Sequence, residues 1–278
     1  MSESDLNILY NARKVVTNHA DYSDNWDRLA QAYREEAGGE LDIAYGSSER
    51  EKFDFFPGGE NGGPVCVFIH GGYWRSRDRK TYSHIARPLN ARGISVAIPS
   101  YDLCPSVSIQ HIIGQMRAFL AAVWQKTGVR PVVCGNSAGG HLAGAMLATD
   151  WSGVDGVPGD LVSRAIGYSG LFDLRPLVEL DINDDLNLTA ETASNASPAL
   201  WPAPRKGLRF VAAVGAEETQ PFKDQSRNLA NAWNARGIDT EYYEVPNCNH
   251  FSIVDCAFDE ATPLFAKLVA TIAAHERA

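Results

Sequence analysis

Gly135-Asn-Ser-Ala-Gly139 constrains this chain more than any other stretch, because of what flanks it. An apolar run at 132–134 leads into it, and a helix-compatible run at 141–147 follows at once. A strand that turns into a helix so abruptly leaves no room for side chains at Gly135 and Gly139, which would meet neighbouring backbone. The same turn pushes Ser137 into a strained, exposed position at the carboxyl end of the strand, above the amide end of the helix. This context distinguishes a nucleophile-bearing elbow from a chance Gly-x-Ser-x-Gly match or a structural glycine turn. Ser137 is therefore the candidate nucleophile.

The rest of the chain is consistent with such a junction. Short apolar runs near 65–70, 94–99, 132–135, 164–169, 208–214 and 240–245 alternate with helical patterns near 80–92, 109–127, 138–149 and 222–237. A final amphipathic stretch covers about 259–276. Alternation of this kind predicts a mostly parallel sheet with helices on both faces, an α/β fold. No composition shift or repeat divides the 278 residues, so a single domain over 1–278 is expected. Two stretches break the rhythm. Residues 24–36 read as a helix begun by an Asp or Asn cap, with Trp26, Leu29, Ala30 and Tyr33 on one face. Residues 171–204 form a long insertion with a proline-rich end, and such excursions in compact domains are usually functional. Together, at about 20–38 and 171–204, they are expected to build a small cap over Ser137.

Residues 65–74 describe a buried strand that ends in His70-Gly71-Gly72. Acyl transfer creates an oxyanion, and preorganised amides aimed at it contribute about 3–4 kcal/mol each. The amide of Ala138, next to the nucleophile, is one expected donor. The amides of Gly72 and Tyr73 are the others, with Gly71 permitting the turn. His70 is read as a residue that shapes this loop, because a base this early breaks the Ser, acid, His order that accompanies a strand-to-helix elbow. The run at 208–214 is followed by Gly215-Ala-Glu-Glu-Thr, and that at 240–245 by Pro246-Asn-Cys-Asn-His250-Phe251. His250 thus falls where a general base belongs, and Glu217 or Glu218 where its orienting carboxylate belongs. Asp173, beyond the run ending near Ser169, is a rival acid.

His-Gly-Gly-Tyr-Trp, Gly-Asn-Ser-Ala-Gly and the late Asn-His-Phe together resemble the α/β-hydrolase fold. Within it they resemble the arylformamidase (kynurenine formamidase) group and the neighbouring hormone-sensitive-lipase-like esterases. Tyr10-Asn-Ala-Arg13, Leu41-Asp-Ile-Ala-Tyr-Gly46, Tyr101-Asp-Leu-Cys-Pro105 and the segment 169–177 extend the likeness over nearly the whole chain. The resemblance implies an eight-stranded, mostly parallel sheet whose antiparallel edge comes from 41–45 and 51–56. It implies Ser137 as nucleophile and His250 as base. The group's acid, usually an aspartate in a Gly-x-x-Asp-Ser-like context, falls on Glu218; the longer side chain departs from that pattern and keeps Glu217 in play. The implied activity is cleavage of a small amide or ester through an acyl-enzyme, most simply by an arylformamidase acting on N-formyl-kynurenine or a related N-acyl arylamine. The same machinery serves a carboxylesterase for short-chain or aryl esters. A non-catalytic small-molecule-binding protein on this fold is the distant alternative, and the retention of every element in order argues against it.

Trp74, Tyr101, Phe172, Trp201 and Phe251, with Tyr73 and Phe222, fall near strand carboxyl ends or in the expected cap. They are expected to offer a ring-stacking pocket to an aromatic substrate. The formal net charge is −9, and no basic run is long enough to follow a phosphate backbone, which argues against nucleic acid. The densest basic patch, Arg75, Arg77, Arg79 and Lys80, is interrupted by Asp78 and reads as a solvated loop. Five scattered cysteines suit neither a disulfide framework nor a zinc site, and no metal or other cofactor is expected. The chain starts without a signal-peptide pattern and has no run near the ~18 apolar residues that span a bilayer. A cytoplasmic enzyme with a small-molecule partner, away from membranes, is the expectation, and a homodimer is compatible with it.

Overall fold

The computed structural model describes residues 3–59, 63–202 and 205–275. Its strands are β1 (Glu40–Ala44), β2 (Lys52–Phe56), β3 (Val65–Ile69), β4 (Ser95–Pro99), β5 (Val132–Asn136), β6 (Arg164–Tyr168), β7 (Arg209–Gly215) and β8 (Asp239–Val245). They form one eight-stranded sheet in the order β1-β2-β4-β3-β5-β6-β7-β8. The β1/β2 and β2/β4 pairings are antiparallel, and every other pairing is parallel.

The central parts of the inner parallel strands are apolar because both faces are covered, as parallel sheets require. Side chains alternate between two cores: Val65, Val67 and Ile69 enter one, while Cys66 and Phe68 enter the other. The register then places the functional loops. Ile69 pairs with Gly135, Asn136 with Tyr168, and Gly215 with Val245. The carboxyl ends of β3, β5, β6, β7 and β8 therefore share one edge of the sheet. Loops starting at residues 70, 137, 169, 216 and 246 all emerge there, as ligand sites of α/β sheets do.

Helix boundaries follow local chemistry. Helix Ile109–Thr127 starts at Ser108, whose side chain accepts the His111 amide, and stops at Gly128 with φ 67°. The stretch expected as a helix at 80–92 begins as a 3₁₀ turn, Arg79–Ile85, and continues as Ala86–Asn90. The helix expected from residue 24 starts earlier, as His19–Glu36, and Asn18 at its N-cap makes no side-chain capping bond. The last stretch is two helices, Ser252–Phe258 and Pro263–His275, with proline opening the second. Glu276, Ala203 and Pro204, which fall in expected elements, lie outside the described residues. Short helices Glu3–Leu9 and Ala12–Val15 precede everything foreseen.

A buried ion-pair network fixes the sheet edge. Asp54 of β2 is fully buried and receives Arg79 Nε at 3.0 Å and the Asp42 amide at 2.9 Å, with Arg34 pairing to its other oxygen. It joins helix His19–Glu36 to the segment that follows the β3 loop. No helix among the described residues is long and apolar enough to cross a membrane.

Candidate active site

Ser137 links β5 to helix Ala138–Ala148 with φ 56° and ψ −117°, a conformation that L side chains rarely adopt. The elbow is held from both sides: Ser137 N donates to Tyr168 O at 2.7 Å, and its carbonyl accepts His141 N at 3.0 Å. Glycine is obligatory around it. A Cβ on Gly135 would lie 2.3 Å from Gly139 O, and one on Gly139 would lie 1.9 Å from Ile69 O. Ser137 opens onto a cavity of about 430 Å³ whose wall also includes Asn136, Gly72, Tyr73, His250 and Phe251.

His250 comes from the loop after β8 and is only 7% exposed. Its Nδ1 donates to Glu218 Oε2 at 2.7 Å, and its ring packs 4.6 Å from that of Phe222. In the neutral ring this bond leaves Nε2 without a proton, free to accept one. Glu218 is itself clamped. Its Oε1 accepts the Gly215 amide at 2.7 Å and the Ser169 hydroxyl at 2.5 Å. Ser169 sits at φ 54° at the end of β6, and nothing in its sequence context marks it as an anchor for the acid. The rivals lie elsewhere: Glu217 is exposed, and the carboxylate of Asp173 is engaged by Arg175 at 2.6 Å.

The loop after β3 lies directly on the serine. A Cβ on Gly71 would stand 2.8 Å from Asn136 O and 3.1 Å from Ser137 Cβ. Gly72, Tyr73, Trp74 and Arg77 all have positive φ, at 110°, 52°, 54° and 80°. Three non-glycine residues in that region store strain of roughly 1 kcal/mol or more each, a cost that tends to persist where a ligand is handled. Among the described residues the Gly72 and Tyr73 amides meet no acceptor. Ala138 opens its helix, so its amide has no intrahelical partner either. Such amides can receive an oxyanion. Asn136 adds a buried side-chain nitrogen with no partner among the described residues, a donor in the cavity wall that the motif alone did not single out.

His70 stays out of the cavity. Its Nδ1 donates to Gly71 O at 2.7 Å, and its ring stacks 4.4 Å from that of Tyr101, whose hydroxyl donates to His70 O at 3.0 Å. Burial pushes its pKa down to about 4, so it is neutral and shapes the loop.

Much of the expected aromatic pocket is core. Trp74, Tyr101 and Phe172 are fully buried and line no part of the cavity. Trp74 packs edge-on against His141 at 5.0 Å, and Phe172 against Phe210 at 5.6 Å. Trp201 lies at the periphery, its Nε1 donating to Asn195 O at 2.8 Å. These large rings fill the space between sheet and helices, where more apolar area leaves water than in an open cleft. Of the five, Phe251 alone reaches the cavity, joined there by Tyr10, Trp26 and Tyr82.

The roof also differs from expectation. It consists of residues 7 and 10–14 with Leu180, Asp181 and Ile182, while helix His19–Glu36 contributes only Trp26. The N-terminal segment is tied to each neighbouring loop. Tyr73 Oη donates to Tyr10 O, Thr219 Oγ1 to Leu9 O at 2.6 Å, and the Asp181 amide to Asn7 Oδ1 at 2.8 Å. The one sequence signal for this roof is the Tyr10-Asn-Ala-Arg13 segment. The basic patch is divided as well. Arg79 is buried against Asp54 and Asp42, exposed Arg75 pairs with Asp185 and joins Arg77 in the cavity wall, and Lys80 is solvated as expected.

A family model described as alpha/beta hydrolase fold matches residues 66–162. The chain is 30% identical to a kynurenine formamidase of Salmo salar, over 79% of this chain and 77% of that protein. It is 29% identical to one of Danio rerio, over 82% and 81% respectively. A carboxylesterase of Mycobacterium tuberculosis is 28% identical over 72% of this chain and 70% of its own length. Among solved structures, a candidate thioesterase from Silicibacter sp. TM1040 superposes with a TM-score of 0.86 at 30% identity, covering 95% of this chain and 97% of that one.

Proposed function

This chain belongs to the α/β-hydrolase family and is a hydrolase, and we propose that it is an arylformamidase working through an acyl-enzyme on Ser137. The observation that carries the mechanism is the strained Ser137 sharing a cavity wall with a His250 whose Nδ1 proton is held by Glu218. In this reading His250 Nε2 takes the Ser137 proton as the hydroxyl oxygen attacks the formyl carbon. The amides of Gly72, Tyr73 and Ala138 receive the oxyanion. Collapse breaks the carbon–nitrogen bond, and His250 returns the proton to the departing arylamine. Water then attacks the formyl-serine with His250 again as base, releasing formate. Glu218 keeps the productive tautomer and stabilises the imidazolium throughout.

The substrate assignment, N-formyl-kynurenine or a related N-formyl arylamine, is supported by two facts. A cavity of about 430 Å³ walled by Tyr10, Trp26, Tyr82 and Phe251 suits one aryl compound and is small for a long acyl chain. The fish relatives are named kynurenine formamidases. The mycobacterial relative favours a second reading, a carboxylesterase, which the same residues would serve. Comparing kcat/KM on N-formyl-kynurenine with that on aryl esters of increasing chain length separates them. The formamide is expected to lead; a consistent lead of at least tenfold for an ester would make the carboxylesterase reading the correct one. We further infer a cytoplasmic location, supported by five free cysteines, which cell fractionation tests.

A further inference from the structure

The cavity has a cationic side, in a protein whose formal net charge is −9. Arg13 and Lys14 come from the roof, and Arg75 and Arg77 from the strained loop after β3. Two of the four are answered: Lys14 stands 4.0 Å from Asp181, and Arg75 pairs with Asp185. Among the described residues, no carboxylate lies within ion-pair distance of Arg13 or Arg77. Arg77 donates to the neutral hydroxyl of Ser23. The stem of Arg77 lies against the oxyanion loop: its Cγ would stand 2.9 Å from a Cβ on Gly72. Burial, then the charges of Arg77 and Arg75, push the pKa of Arg13 below its ordinary value. Two like charges facing one partly desolvated space are unfavourable until an anion joins them.

We propose that Arg13 and Arg77 form an anion subsite that takes a carboxylate on the aryl side of the substrate. The preferred substrates are then N-formyl arylamines bearing a carboxylate, and the inference rests on the arylformamidase reading for which end of the substrate lies there. Planar guanidinium groups match a carboxylate with paired hydrogen bonds, which fix orientation as well as affinity. One guanidinium belongs to the roof and the other to the loop that supplies the Gly72 amide. A carboxylate bound by both would hold the N-terminal segment against the oxyanion loop while the formyl group meets Ser137. Asn11, whose side chain accepts the Arg13 and Lys14 amides, fixes the turn from which Arg13 projects.

The test uses the full chain, isothermal calorimetry, and two probes that differ only in charge: an aminobenzoyl propionate and its primary amide. The carboxylate is expected to bind at least about tenfold more tightly than the amide at low salt, with the advantage shrinking as ionic strength rises. Arg13→Gln and Arg77→Gln should each drive the affinity ratio toward one, and Arg13→Lys should restore part of it. The salt dependence of the wild-type chain reads the subsite even where a variant fails to fold. Equal or undetectable binding of the two probes, or a ratio unchanged in both Gln variants, overturns the subsite. Turnover of N-formyl-kynurenine is measured beside it. Turnover without a carboxylate preference removes the subsite and leaves the arylformamidase reading, whereas a carboxylate preference without formamide turnover does the reverse.

Discussion

Replacing Glu218 with glutamine removes one charge and almost no volume, and the surrounding bonds determine how the amide must sit. Oε1 of Glu218 faces the Gly215 N–H at 2.7 Å, a donor that cannot reverse its role, and Oε2 faces His250 Nδ1 at 2.7 Å. The glutamine oxygen must therefore stay on Gly215, which turns its NH₂ toward His250. Donor then meets donor, and the imidazole escapes by moving its proton to Nε2. In that tautomer no lone pair is left to accept the serine proton. The equivalent replacement in the serine-protease template lowered kcat about 10⁴-fold, roughly 5 kcal/mol of barrier. A competing arrangement flips the amide and leaves the buried Gly215 N–H facing a donor. That costs about 1–3 kcal/mol, and the flipped amide still lacks the charge that stabilises the imidazolium, so the escape restores little of the activity. Glu218→Gln is thus expected to lower kcat on N-formyl-kynurenine by about 10²- to 10⁴-fold with circular dichroism and Tm little changed. Glu217→Gln, at an exposed position, should stay within about threefold of wild type. Retention of more than a tenth of wild-type kcat by folded Glu218→Gln would refute the tautomer argument.

Gly71→Ala places a methyl group 2.8 Å from Asn136 O and 3.1 Å from Ser137 Cβ. Such overpacking costs about 1–3 kcal/mol, and here it should lower kcat at least about tenfold; unchanged kinetics would mean the loop does not rest on the nucleophile. Asp54→Ala leaves the buried guanidinium of Arg79 without its inner partner, and urea unfolding should report a loss of about 3–5 kcal/mol. A loss below about 1 kcal/mol would show the network to be ornamental. His70, His84 and His141 are each held near 4 by burial, below the ordinary 6.5. Between those values the unfolded chain binds protons that the native chain does not, so their stability is complete above pH 6.5 and is lost as pH falls toward 4. Tm measured across that window should rise until about pH 6.5; a plateau already reached at about pH 5 would contradict it.

The sequence revealed the elbow because its steric requirements are severe: neither Gly135 nor Gly139 tolerates a Cβ, and few other contexts demand both. The inner parallel strands were equally legible, since burial on both faces leaves a short apolar run at the centre of each. What it hid were matters of direction. Glu217 and Glu218 are neighbours in an irregular loop, and only coordinates show which one turns inward. Trp74, Tyr101 and Phe172 stand at strand ends, where a ring facing the core and a ring facing a cavity look alike in sequence. The N-terminal part of the roof is not legible in sequence because helices of 7 and 4 residues are too short to develop an amphipathic period, whereas the part from 171–204 is met by Leu180, Asp181 and Ile182. The basic patch hid a related difference: Arg79 turns into a buried ion-pair network, Arg75 and Arg77 reach the cavity and Lys80 faces solvent, and composition averages over them.

Treatment of the full chain with a fluorophosphonate, followed by intact mass and peptide mapping, tests the central claim most directly. A serine made nucleophilic by His250 and Glu218 reacts covalently, so one adduct per chain is expected, on Ser137. It should be absent after His250→Ala and strongly slowed after Glu218→Gln. An adduct on any other residue, or an inert Ser137 in folded protein, would contradict the account.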